Sequence, residues 1–168
     1  SRATSKETRT KAARSRPRRA AGYFQTKGDW EAAIYYWLSS GSFAEAAAAI
    51  EVAGETALRT GRLDTISAWI DSLPPEVVAD HPLLQHYLGD VYRLRSRFDD
   101  ALRWYAEAER TWRARGDLNG ISRALRGQAL VYLDTVRPAQ AESLLEEALR
   151  LTDGIADRDA RARLLELL

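Results

Sequence analysis

Few residues in this chain could do chemistry. There is no Cys, so disulfides and thiolate metal sites are excluded. Only two His are present, His81 and His86, and neither belongs to an HExxH or similar spacing, so a metal site would need carboxylate help. His81 directly precedes Pro82 and is expected to cap a helix, with no Ser, Cys or paired acid at an interpretable spacing around it. Asp99-Asp100 and Glu146-Glu147 are adjacent acids, which on a helix point about 100° apart and cannot form a carboxylate dyad. No GxxxxGK[ST] phosphate loop and no basic recognition helix is visible. The residue types therefore predict a protein that is not an enzyme, with no cofactor and no metal.

Binding chemistry is better represented. At helical spacing, Leu83, His86, Asp90 and Arg93 share one face, and Arg123, Arg126, Leu130 and Asp134 share another. A groove mixing Arg, His and Asp suits an anionic small molecule or an acidic peptide, because Arg supplies forked donors. Solvated surface ion pairs of little energetic weight would produce the same pattern. The candidate ligand- or partner-binding residues are accordingly His86, Asp90, Arg93, Arg123, Arg126 and Asp134. An exposed Tyr35 or Tyr36 could stack on a sugar or a peptide, though packing on the next helix is the favoured reading. Trp69, Trp104 and Trp112 fall on or near apolar stripes and are expected in the core.

The elements that must position these residues are all helical. The 168 residues are 45% hydrophobic and 29% charged, enough for a packed core. No segment alternates with strand period. Helices are expected from Pro17, placed at a first helical position, to about Lys27, where Gly28 stops it. Further helices follow from the Asp29 cap to Leu38, over Phe43–Thr60 up to Gly61, and over Leu63–Leu73. Pro74-Pro75 then break the chain, and a short acidic turn is expected before Pro82. Beyond it come Pro82 to the Arg93–Arg97 stretch, Phe98–Arg115 before Gly116, Ile121–Leu133 after a bend at Asn119-Gly120, and Pro138–Leu151 before Gly154. A last helix over Ala160–Leu168 is left without a partner and is expected to expose Leu164, Leu165 and Leu168.

Small residues recur between these helices. Ala21, Ala53, Gly89 and Ala129 each lie twelve positions before Ala33, Thr65, Ala101 and Ala141. Large residues follow four positions later, at Trp37, Trp69, Tyr105 and Leu145. A small residue on each helix allows a close crossing, and the bulky side chain fills the space over it. This is the pattern of a tetratricopeptide-type helical hairpin. The expected fold is all-α, a right-handed superhelical solenoid of about four antiparallel hairpins plus a truncated helix. The first helices of successive hairpins line its concave face.

Charge is distributed unevenly. Residues 1–19 hold eight basic residues and one acid, a balance of +7; residues 20–168 hold 17 basic and 23 acidic residues, a balance of −6. The basic head could touch nucleic acid, but the rest of the chain opposes it, so no direct nucleic-acid binding is expected. No apolar run approaches the length that spans a bilayer and no secretory signal is visible, which points to a cytoplasmic protein that does not contact membranes. The missing initiator Met and the final LLELL make the chain look excised from something longer.

Ala20-Ala21-Gly22-Tyr23-Phe24-x3-Gly28-Asp29-Trp30-Glu31-x-Ala33-Ile34, then Gly41-Ser42-Phe43-x3-Ala47, resembles the start of the helical-repeat sensor region of MalT-like, LuxR-family regulators. Arg59-x-Gly61-Arg62-Leu63-x5-Trp69-Ile70-x2-Leu73-Pro74-Pro75-Glu76-Val77-Val78 and His81-Pro82-Leu83-Leu84 are similar to later segments of that region. The resemblance covers about residues 17–155. It implies a bacterial signal-responsive ATPase regulator in which residues 1–16 end or follow a preceding module and residues 17–168 form the repeat domain. The partner it implies is a small-molecule inducer or a regulatory protein. Self-association through Leu164, Leu165 and Leu168 is a further expectation. An adaptor that docks acidic or helical peptides, unrelated to transcription, is the competing reading.

Overall fold

The computed structural model describes the backbone of residues 2–153 and 158–168, and side chains from residue 13 onward except at 154–158 and 160. Its described residues form ten helices and no strand: α1 (Arg2–Thr26), α2 (Trp30–Ser39), α3 (Phe43–Arg59), α4 (Leu63–Asp71), α5 (Pro75–Asp80), α6 (Pro82–Leu94), α7 (Phe98–Arg115), α8 (Leu118–Asp134), α9 (Pro138–Thr152) and α10 (Arg158–Leu165). The fold is an all-α, tetratricopeptide-like helical repeat. The chain divides into two compact units, Ser1–Val78 and Ala79–Leu168.

Helix boundaries follow local chemistry with three departures. The Asp29 side chain accepts a hydrogen bond from the Ala32 N–H at 3.1 Å, capping α2 as expected. Gly116 closes α7 in the left-handed conformation, φ 66°. Pro17, however, lies inside α1 instead of opening it. The Ala- and Arg-rich flanks keep helical geometry across it, at the loss of the one N–H that would reach residue 13. The expected turn after Pro74-Pro75 is a short helix, α5, because Pro75 suits a first helical position. Asn119-Gly120 is no loose start either. Asp117 caps α8 by accepting from the Gly120 N–H at 2.9 Å. His81 holds the N-cap position of α6 but makes no side-chain capping bond. The expected stop at Gly154 lies outside the described residues.

In the first unit, α1 to α4 pack in sequence order. Ala21 and Ala33 are fully buried at the α1–α2 crossing. Ala53 and Thr65 are only partly buried, so this pair crosses less closely. Phe24 stacks on Tyr36 at 5.5 Å between ring centroids, while Tyr35 turns outward, 65% exposed. Of the tryptophans, only Trp112 is core; Trp30, Trp37, Trp69 and Trp104 are half-buried.

The second unit holds two hairpins, α6–α7 and α8–α9, with α10 laid against α9. Ala101, Ala129 and Ala141 are buried at the crossings, each at most 1% exposed. Tyr105 is wholly buried and clusters with Ala101 and Val131. A Cβ at Gly89 of α6 would come within 2.5 Å of its ring, and one at Gly127 of α8 within 2.6 Å. Two turns along α7, the indole of Trp112 lies on Gly120 of α8 in the same way. Two rings on one helix thus rest directly on the backbone of the next.

Leu164 contradicts its expected exposure. It is 1% exposed and joins the apolar cluster of α7, α8 and α9, with Leu167 partly buried beside it. Leu165, about 100° further round α10, and Leu168 remain exposed, at 54% and 58%. A helix needs only one neighbouring hairpin to bury one stripe, so α10 docks without a partner of its own.

Ring-on-glycine packing reverses the usual effect of adding a methyl to a helical glycine. Gly127→Ala should destabilise the chain by about 1–3 kcal/mol, because the crowding of Tyr105 outweighs the gain in helix propensity. Gly22→Ala in α1, where nothing lies within 4 Å of the new methyl, should stabilise it by about 0.5–1 kcal/mol. Urea unfolding of the two variants measures both signs.

Candidate functional site

The six residues expected on one binding face separate into two groups of different character. His86 is the first correction. It is not presented to a groove but buried, 3% exposed, with its ring 5.0 Å from that of Tyr105 and 5.9 Å from that of Trp112. Its Nε2 lies 3.5 Å from a carboxylate oxygen of Asp90. That distance would count as an ion pair only if the imidazole were protonated. Burial opposes protonation more strongly than Asp90 favours it, and Arg123, Arg126 and Arg93 oppose it further, so the pKa is pushed down to about 4. At neutral pH the contact is therefore between a carboxylate and a neutral ring. Nδ1 is buried without a hydrogen-bond partner.

Asp90 is held from the other side by the Tyr105 hydroxyl, which donates to it at 2.6 Å. Burial and then the Asp90 charge raise the Tyr105 pKa well above the ordinary phenol range, so the hydroxyl stays a donor. Arg93 donates from Nη1 to Asp134 Oδ2 at 2.9 Å and so ties α6 to α8. Asp90, Arg93, Asp134, His86 and Tyr105 make one polar group across α6, α7 and α8. These contacts link the three helices to one another.

Arg123 and Arg126 behave differently. Both are half-buried on α8 and face a cavity of about 250 Å³. Arg163 of α10 lines the same cavity, with Leu83, Trp112 and Leu164 as apolar walls. Asp117, also on its rim, is engaged in capping α8. The Arg126 guanidinium is held below its ordinary value by burial; Asp90 opposes the shift, and Arg123 and Arg163 add to it. Like charge is thus collected at one place.

Sequence reasoning found Arg123 and Arg126 and missed Arg163. The signal was the hairpin rule itself: α6, α8 and α10 are successive first helices, so their side chains should share a surface. The Tyr105 hydroxyl and Gly127 were missed because only the folded crossing brings them to Asp90 and to the ring. The adjacent acids point apart as expected. Asp100 pairs with Arg97 at 2.6 Å and with Arg103, and Glu147 accepts from Arg113 at 2.8 Å. Among the described residues, no group of three His, Cys, Asp or Glu could hold a metal ion, and no helix is long and apolar enough to cross a membrane.

His86 makes stability depend on pH. Its folded pKa lies below the ordinary value of 6.5, so its neutral burial is fully favourable above pH 6.5. Below that, the unfolded chain takes up a proton that the folded chain does not, and stability falls until about pH 4. The loss should reach about 3 kcal/mol. Urea unfolding from pH 7.5 to 4 should show this slope, and His86→Gln should remove that part of it.

Residues 80–153 match the tetratricopeptide repeat family model, which spans α6 to α9 and stops short of half the chain. Comparison with curated proteins and with solved structures finds no match. In the matched segment Gly89, Ala101, Ala129 and Ala141 sit at the two hairpin crossings, so the similarity and the packing identify the same helices as a tetratricopeptide-like repeat.

Proposed function

We propose that the chain is a non-catalytic partner-binding domain and that it forms the sensor region of a bacterial signal-responsive transcription regulator. The observation that carries this reading is the divided α6–α8 face. Asp90, Arg93 and Asp134 are tied to one another or to Tyr105, whereas Arg123 and Arg126 stand beside an open cavity with Arg163. A lining in which three guanidiniums outnumber one carboxylate suits an acidic inducer or an acidic segment of a regulatory protein. Preference of that ligand for one arrangement of the helices would shift the regulator between its states. The resemblance of residues 17–155 to MalT-like regulators supplies the wider setting, with residues 1–16 as the link from a preceding module.

A second reading is favoured by the match over residues 80–153. Repeats of this family generally mediate contacts between proteins, so the chain would be an adaptor unrelated to transcription. With Leu164 buried, self-association through the C-terminal leucines would rest on Leu165 and Leu168.

A transcription reporter driven by the regulator containing this chain tests the first reading. Arg123→Glu together with Arg126→Glu should reduce the ratio of induced to basal output by at least about fivefold at unchanged protein abundance. An unchanged ratio removes the sensor role. The adaptor then remains, and the same double variant should lose its protein partner in co-purification.

A further inference from the structure

We infer that the cavity between α6, the end of α7, the start of α8, and α10 binds a small organic dianion, such as a phosphate monoester or a dicarboxylate on an apolar or aromatic body. This deepens the proposed binding role and rests on it. Arg123, Arg126 and Arg163 come from two helices, one turn apart on α8 and opposed by α10, and all three line one concave space. Three guanidiniums offer more forked donors than one carboxylate can accept, so the charged end needs several acceptor oxygens.

The other walls define the rest of the ligand. Trp112, Leu83 and Leu164 are apolar, and the Trp112 indole is fixed in place by its seat on Gly120. A rigid aromatic wall beside the cations suits an aryl or short alkyl body. At about 250 Å³ the space lies just below the usual range for ligand sites, which fits a small metabolite and is too small for a nucleotide. Asp117 contributes one negative charge to the lining and caps α8 through the Gly120 N–H, so the three guanidiniums outnumber it. Burial lowers the affinity of Arg126 for its proton, and Arg123 and Arg163 add to that against the opposing charge of Asp90.

Isothermal titration of the chain at low salt tests the inference with phenyl phosphate, phthalate, inorganic phosphate and benzyl alcohol as probes. Phenyl phosphate or phthalate should bind with a Kd below about 1 mM. Inorganic phosphate, which lacks the body, should bind at least about tenfold more weakly, and benzyl alcohol, which lacks the charge, should not bind. Comparison of the first two probes identifies which charged end is preferred. Arg126→Gln and Arg163→Gln should each weaken the better probe at least about tenfold with the helical circular dichroism intact, while Arg103→Gln on the surface of α7 should leave it unchanged. Arg163 is exposed, so its replacement keeps the test usable if Arg126→Gln fails to fold. Failure of both dianions to bind, or an affinity for the better probe that Arg163→Gln leaves the same as in the unaltered chain, overturns the inference. The reporter separates this from the sensor role. Dianion binding without any effect on transcription removes only the sensor, and a reporter that responds through Arg123 and Arg126 while neither dianion binds removes only the dianion.

Discussion

The Tyr105 ring rests between two glycines, Gly89 of α6 and Gly127 of α8, and the second unit depends on that contact. Neither helix can carry a Cβ at those positions without moving the ring. Trp112 repeats the arrangement on Gly120, two turns along the same helix. The backbones can therefore approach closely while the aromatic area is fully removed from water, and burial of that area is the largest favourable contribution such a crossing makes. His86 is placed by the same contact. It occupies the space between the two rings, and that position, more than its neighbour Asp90, determines its protonation.

The polar group on α6 and α8 follows from this geometry. With the Tyr105 ring fixed, its hydroxyl meets Asp90, and with α6 and α8 drawn together, Arg93 reaches Asp134. A half-buried group with both partners in place holds register; the same group with one partner missing would be costly. Arg123 and Arg126 lie on the same helix as Asp134 yet further toward its N-terminus, where α10 brings another cation and Asp117 caps the helix. The difference between a charge paired across helices and a charge lining the cavity is here a matter of one or two helical turns.

Small and large residues at fixed offsets were enough to read the hairpins. Gly89 with Ala101 and Ala129 with Ala141 could be paired from spacing alone, because a close crossing leaves room for nothing larger. Asp29, Gly116 and Pro138 marked their helix ends for equally local reasons. Pro17 and Pro75 were misread since a proline is permitted in more than one helical position, and its surroundings choose. Leu164 was misread since exposure depends on what an apolar stripe meets. The hairpin before α10 was as good a partner as a hairpin after it.

The site shows the same division. The amino-acid sequence by itself determined that the chain would be helical, that its hairpins would cross at small residues, and that Arg, His and Asp would recur along α6 and α8. These properties follow from intervals of a few residues, over which backbone geometry is fixed. Only the tertiary structure decided that His86 is a buried neutral ring, that Asp90, Arg93 and Asp134 hold helices together, and that Arg163 joins Arg123 and Arg126 around a cavity. Burial and electrostatic partnership are set by groups far apart along the chain, and no local spacing contains them.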